Sequence, residues 1–144
     1  MELHRGRLID HIQLVVADLE ASRRFYEAIF KVLKVPVESN SPDHFWADEL
    51  FVSKPDGPEA EGVLTGRHHL AFKAADRQMV EDFHAAGLAA GGKDNGAPGE
   101  RAKYHPGYYA AFLLDPDGNN IEAVYHGEAN RSASSVRLTF DMPA

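Results

Sequence analysis

Eight histidines and no cysteine in 144 residues set the chemistry open to this chain. Disulfides, thiolate zinc sites and cysteine nucleophiles are excluded. Imidazoles and carboxylates remain, and three of them stand out by position. His11 and His69 each open an alternating apolar segment, Ile12-Gln13-Leu14-Val15-Val16 and Leu70-Ala71-Phe72-Lys73-Ala74. In both, the histidine falls on the side opposite the strongly apolar one. Glu122 lies within Asn120-Ile121-Glu122-Ala123-Val124-Tyr125, where Ile121, Ala123 and Tyr125 share the other face. A carboxylate on a central strand is costly unless it is paired or bound to a metal. Two imidazoles and one carboxylate can hold a divalent metal on one side and leave its other positions open for substrate or water. The plainer reading makes each histidine a half-exposed strand residue and pairs Glu122 with Lys73 or an arginine.

The elements that must position these groups are legible as periodicities. Ile12, Leu14 and Val16 form one face of a strand. Asp18 offers a helix N-cap with Glu20 in the first turn, and Leu19, Phe25, Tyr26, Ile29, Phe30 and Leu33 form the apolar face of that helix, with Pro36 ending the region. Two short strands are expected at about 44–47 and 50–53. Lys54–Gly66, rich in proline and glycine, reads as a linker. The pattern then restarts: a strand at 69–74, Asp76 as a second N-cap, a helical stripe of Val80, Phe83 and Ala86 or Gly87, and a stop at Gly91-Gly92. Residues 93–107 read as a long loop. Tyr108 to Leu114 and Ile121 to Tyr125 read as a hairpin closed by the type I turn Asp115-Pro116-Asp117-Gly118.

A shift of 58 residues superposes His11 on His69, Ala17 on Ala75, Asp18 on Asp76, Phe25 on Phe83 and Ala28 on Ala86. Strand, cap and helix stripe coincide without a gap, so the chain reads as two copies of one strand–helix–strands module. Among the other histidines, His68 lies on the apolar parity of its strand, and His84 and His44 read as solvated surface. Val136, Leu138 and Phe140 alternate with polar residues, as in a strand added to a sheet edge in this chain or a partner.

Composition bounds the function. The formal net charge is −7, and no cluster of five or more basic residues occurs, so nucleic acid is not an expected partner. No apolar run approaches the length of a membrane span, and the start of the chain lacks the apolar stretch of a secretory signal. No membrane partner and a cytoplasmic location are expected.

Four ordered pieces carry a resemblance: Asp10-His11-Ile12-Gln13-Leu14-Val15-Val16; Asp18 opening a helix that holds Phe25-Tyr26; His69-Leu70-Ala71-Phe72; and Asp115-Pro116-Asp117-Gly118-Asn119-Asn120-Ile121-Glu122. Together, over about residues 8–126, the chain resembles the vicinal oxygen chelate superfamily: glyoxalase I, bleomycin-resistance proteins, fosfomycin-resistance enzymes and extradiol dioxygenases. The resemblance implies an α+β fold, with paired βαβββ modules forming a curved mixed sheet around a metal cleft. A single domain, 1–144, would comprise module one at about 7–54, the linker at about 54–66, module two at about 67–127 and a tail at 128–144. It implies His11, His69 and Glu122 as metal ligands. Glyoxalase I takes a further ligand from the last strand of module one, which aligns here with Phe51 or Ser53; neither is a good ligand, so a three-ligand site is expected.

The implied function is a divalent-metal-dependent enzyme, with Fe, Mn, Zn, Ni or Co as cofactor, acting as lyase, isomerase or ring-cleaving dioxygenase. Its substrate would be a small molecule with two adjacent oxygens. His105 could move a proton, and Tyr108 or Tyr109 could donate to a substrate oxygen, alternation placing one of the two tyrosines in the cleft. A homodimer is the expected assembly, with the cleft closing within one chain or across two. The alternative is a metal-free drug or metabolite binding protein of the bleomycin-resistance type, its cleft lined by Trp46, Phe51, Tyr104 and Tyr109.

Overall fold

Both helices begin where an aspartate can cap them. Asp18 accepts a hydrogen bond from the Ala21 amide at 3.0 Å and opens α1, Leu19–Leu33; Asp76 accepts from the Met79 amide at 2.8 Å and opens α2, Arg77–Ala89. The first helix ends at Lys34, in the left-handed conformation (φ 61°), with the Val35 amide bonded back to the Phe30 carbonyl at 2.9 Å. Pro36 therefore follows the helix rather than ending it. The fold is taken from a computed structural model that describes residues 2–5, 9–57, 68–129, 135–139 and 141. Most of the expected linker, 58–66, lies outside the described residues.

The remaining elements are strands: β1 Glu2–Arg5, β2 Ile12–Val15, β3 Glu38–Ser41, β4 His44–Ala47, β5 Leu50–Ser53, β6 His69–Lys73, β7 Lys93–Glu100, β8 Tyr109–Leu114, β9 Asn120–Tyr125 and β10 Val136–Thr139. They form two four-stranded sheets of identical order, β2-β5-β4-β3 and β6-β9-β8-β7, with the first and last strand of each module parallel and the others antiparallel. The structure is thus α+β, two βαβββ modules related by the internal repeat. β1 and β10 pair antiparallel as a separate ribbon, so the tail finds a partner strand in its own chain.

One expectation is corrected, and one further strand is found. Residues 93–107 are not all loop: 93–100 form β7, paired with β8 through a ladder whose register shifts around Gly96. Glycine and proline obscured this strand in the sequence, because bulges tolerate them where a regular strand does not. β3, a strand of small polar residues on a sheet edge, also gave no periodic signal.

The core lies between the sheets and the helices. Phe25, Tyr26, Ile29 and Phe30 of α1, Val80 and Phe83 of α2, and Leu14, Val52, Phe45, Leu113, Ile121 and Ala123 of the strands are buried together. Phe30 meets Phe72 edge-on, with ring centroids 5.1 Å apart, tying module one to module two. The tightest approach is at Gly87 on α2, where a Cβ would stand 2.2 Å from Leu113 Cδ1 and 3.2 Å from Ile29 Cγ2. Gly87→Ala should therefore cost about 1–3 kcal/mol by overpacking. Urea unfolding would show it as a lowered midpoint with unchanged slope.

Asp115 explains why the hairpin motif takes its form. Its Oδ1 accepts from the amides of Asp117 (3.0 Å) and Asn119 (2.8 Å), and its Oδ2 from the Tyr26 hydroxyl (2.6 Å) and Asn119 Nδ2 (3.0 Å). The turn is thereby pinned to α1, and burial with the Asp115 charge holds the Tyr26 hydroxyl far above its ordinary pKa. Asp117 is less well served. Its Oδ1 accepts from the Ala17 amide at 3.2 Å, but its Oδ2 is buried and has no partner among the described residues. Burial raises its pKa, the Ala17 amide opposes that, and Asp115 and Asp18 add to it. An acid whose pKa is raised on folding is stabilising when protonated, and that contribution is lost as pH rises from the unfolded value of 3.8 through the folded one. Asp117→Asn should raise Tm at pH 7 and confer no advantage below pH 3.8.

Candidate metal centre and proton-transfer cluster

Each sheet turns alternate side chains away from the helices. On module two this open face carries His69, Ala71 and Lys73 from β6, Asn120, Glu122 and Val124 from β9, and Phe112 from β8, cross-strand neighbour of Glu122. Glu122 is 2% exposed. A carboxylate so buried needs partners for both oxygens. It has them: His69 Nε2 lies 2.8 Å from Oε1, and the Tyr108 hydroxyl donates to Oε2. Burial, then the hydrogen bond and charge of Glu122, then Tyr104, push the Tyr108 hydroxyl well above its ordinary pKa, so it stays a protonated donor. Asn120 Nδ2 approaches His69 Nδ1 at 3.4 Å.

Beside Tyr108 lies a pair of imidazoles. His105 Nδ1 is 2.8 Å from the Pro106 carbonyl, which can only accept, so this nitrogen carries the hydrogen. His105 Nε2 is then the acceptor for His126 Nδ1 at 2.9 Å. The two rings stack at 5.2 Å, and each meets Tyr108 edge-on, at 5.4 Å for His105 and 5.2 Å for His126.

Of the residues singled out from sequence, the structure brings together His69, Glu122 and Tyr108, with His105 one ring away. Tyr109 is turned to the helix side. Its hydroxyl donates to Glu81 Oε1 at 2.9 Å and Arg77 lies 4.6 Å above its ring, so it does not line the open face. His11 stands apart. It is exposed, on module one, with Nδ1 2.6 Å from Asp10 Oδ1. Among the described residues no three His, Asp or Glu side chains of one chain converge as a metal site. The joint site of His11 with His69 and Glu122 is therefore not formed within a single chain.

Module one presents a different open face. Gln13 Nε2 donates to Ser53 Oγ at 3.1 Å, and Phe51, the positional counterpart of Glu122, stacks on His44 at 4.7 Å with Trp46 alongside. His44 is buried rather than solvated, because β4 continues through it and its Nε2 meets Asn40 Oδ1 at 2.8 Å. His84 likewise is engaged, by Asp94 at 2.8 Å. His68 packs on the core side, with both ring nitrogens buried and without a partner among the described residues. His126 was not singled out from sequence. The signal was present, since Glu122, Val124 and His126 alternate onto one face.

The comparisons with known proteins agree with this architecture. Residues 8–123 match the family profile of the glyoxalase/bleomycin resistance protein/dioxygenase superfamily. A curated relative, the uncharacterized protein YqjT of Bacillus subtilis (strain 168), is 32% identical over 131 residues, covering 79% of this chain and 95% of that one. The crystal structure of a glyoxalase/bleomycin resistance protein from Albidiferax ferrireducens T118 superposes with a TM-score of 0.68 at 30% identity, over 81% of this chain and 98% of that one. A lactoylglutathione lyase from Agrobacterium tumefaciens, at 20% identity and a TM-score of 0.60 over 83% of this chain and 93% of its own, shares the fold. With four-fifths of its length matched by that profile and both βαβββ modules in place, the chain belongs to the glyoxalase/bleomycin resistance protein/dioxygenase superfamily.

Proposed function

We propose that the protein is a divalent-metal-dependent enzyme acting on a small substrate with two adjacent oxygens, its metal held by His69 and Glu122 of one chain and His11 of a second copy. The observation that carries this reading is the buried Glu122 carboxylate 2.8 Å from His69 Nε2 on an open sheet face. Donors held about 2.1 Å from one ion at right angles to each other lie about 3.0 Å apart, so the pair is spaced as adjacent ligands are. His11 supports the reading too. With Nδ1 donating to Asp10, its Nε2 is left with a lone pair, the arrangement found at ligating histidines. Three protein donors leave positions for substrate. Since the three are not joined within one chain, a homodimer would complete the site.

A divalent ion bound there would supply Lewis acidity to the two substrate oxygens. The chain's own groups do the rest. His69 gives up its Nε2 proton when it ligates. Tyr108 holds Glu122 Oε2 and keeps the carboxylate oriented. His126 Nδ1 hands a hydrogen to His105 Nε2, so the pair can hold and pass one proton at the edge of the face. Sites of this kind in the superfamily serve lyase, isomerase and ring-cleaving dioxygenase reactions, and fold alone selects none of them.

A second reading, a metal-free binder of a drug or metabolite, draws on the fact that His69 and Tyr108 already satisfy both Glu122 oxygens. Metal uptake separates the two. Purified protein stripped and reloaded with Fe, Mn, Zn, Ni or Co should bind one ion per chain, and His69→Ala should lower that affinity roughly a hundredfold or more. Uptake of none of the five metals by the wild type would contradict the enzyme reading and favour the binder.

A further inference from the structure

At the C-terminal ends of β6 and β9 lies a cavity of about 780 Å3 whose walls include Lys73, Val124, Tyr125, His126 and Glu128. That is the size of a small-molecule site. Lys73 stands on the same row of β6 as His69 and Ala71, and its register partner Val124 lies one alternate position beyond Glu122. Among the described residues its ammonium makes no ion pair. Arg101 lies over the Phe112 ring at 5.5 Å, beside the same face. In a chain of net charge −7, this face thus gathers cations, while its strand carboxylate, Glu122, is taken by His69 and Tyr108. Glu128 belongs to the chain after β9 and sits on the cavity rim. His126 joins the cavity to the reacting end, because its Nδ1 is bonded to His105 and its ring packs on Tyr108.

We propose that this cavity is a subsite for an oxyanion, a carboxylate or phosphate at the far end of the substrate, held by the Lys73 ammonium. The inference rests on the reading of His69 and Glu122 as the reacting end and extends it to the substrate class. Two residues along a strand span about 7 Å. The substrate is therefore a small anion whose vicinal oxygens and acidic group are separated by roughly that distance.

The test begins with the metal-free full-length protein, titrated with phenylacetate, phenyl phosphate and the neutral benzyl alcohol while amide chemical shifts are followed. Amides of residues 73–75 and 124–128 should move with an anion and not with benzyl alcohol. Lys73→Met should weaken the tighter anion about tenfold or more, as expected for loss of a charge-assisted hydrogen bond. Glu128→Gln should strengthen it severalfold by removing a like charge. Whichever anion binds more tightly identifies the acidic group as carboxylate or phosphate. No anion-dependent shifts in the wild type, or equal affinity in Lys73→Met, would overturn the subsite whatever the metal does. On cobalt-loaded protein, 3,4-dihydroxyphenylacetate should then bind about tenfold more tightly than 4-methylcatechol, a preference that Lys73→Met removes. Equal binding of these two catechols would overturn the substrate class. Failure of cobalt to bind would contradict the proposed centre, and the metal-free titration would still decide the subsite.

Discussion

Chains carrying His11→Ala and chains carrying Glu122→Ala should each hold no metal alone, yet regain about a quarter of the wild-type sites when refolded together in equal amounts. The arithmetic follows from twofold closure. Half of the dimers formed at random are mixed, and in a mixed dimer one site collects both lesions while the other is intact. The physical basis is that His69 and Glu122 are preassembled at 2.8 Å on module two, whereas His11 is exposed on module one with only Asp10 beside it. If module one of one copy closes over module two of another, the donor sets cross between chains. If the site closed within one chain, mixing would restore nothing. Metal analysis of the mixture after removal of loosely bound ion reads the difference directly. Glu122→Gln, which keeps the volume of the buried side chain, repeats the test should the alanine variant misfold.

The largest effect on stability should come from Phe25→Ala, with a loss of about 3–5 kcal/mol. Phe25 is fully buried, meets Tyr26 edge-on at 5.1 Å, and closes against Gly92, where a Cβ would stand 2.5 Å from its ring. Gly92 follows α2, so the ring of α1 is wedged against the end of the other module's helix. Its removal empties a cavity at the junction of the modules, and that junction cannot collapse without moving Tyr26 off Asp115. Thermal unfolding should register a fall of about 10 °C or more. A change under about 1 kcal/mol would mean that the helices can slide together to fill the space.

Much of this was legible in the sequence, for reasons that can be named. The two helices announced themselves because aspartate caps and apolar stripes act locally. The repeat at 58 residues was visible because both modules solve the same packing problem with histidine, aspartate and phenylalanine at corresponding positions. Asp115-Pro116-Asp117-Gly118 was recognisable as a turn, but the tie of Asp115 to Tyr26, 89 residues away, is tertiary and left no local trace. β7 was hidden by bulges, and His44 passed for solvated surface because the burial of its strand depends on Phe51 and Trp46. At the site, alternation identified the face of Glu122 and required that one of Tyr108 and Tyr109 lie elsewhere; only the structure says that Tyr109 is drawn to Glu81 and Arg77 on the helix side. The separation of His11 from His69 and Glu122 was invisible, since it depends on how two modules of one chain pack through their helices.

Whether His11 of a second copy completes the metal centre is decided by a crystal structure of the cobalt-loaded protein with data collected at the cobalt absorption edge. One anomalous peak per chain is expected, bonded to His69 Nε2, a Glu122 carboxylate oxygen and His11 Nε2 from a second copy, with open coordination positions facing the Lys73 cavity. A fully loaded protein with no peak at Glu122, or with the peak on other side chains, would contradict it.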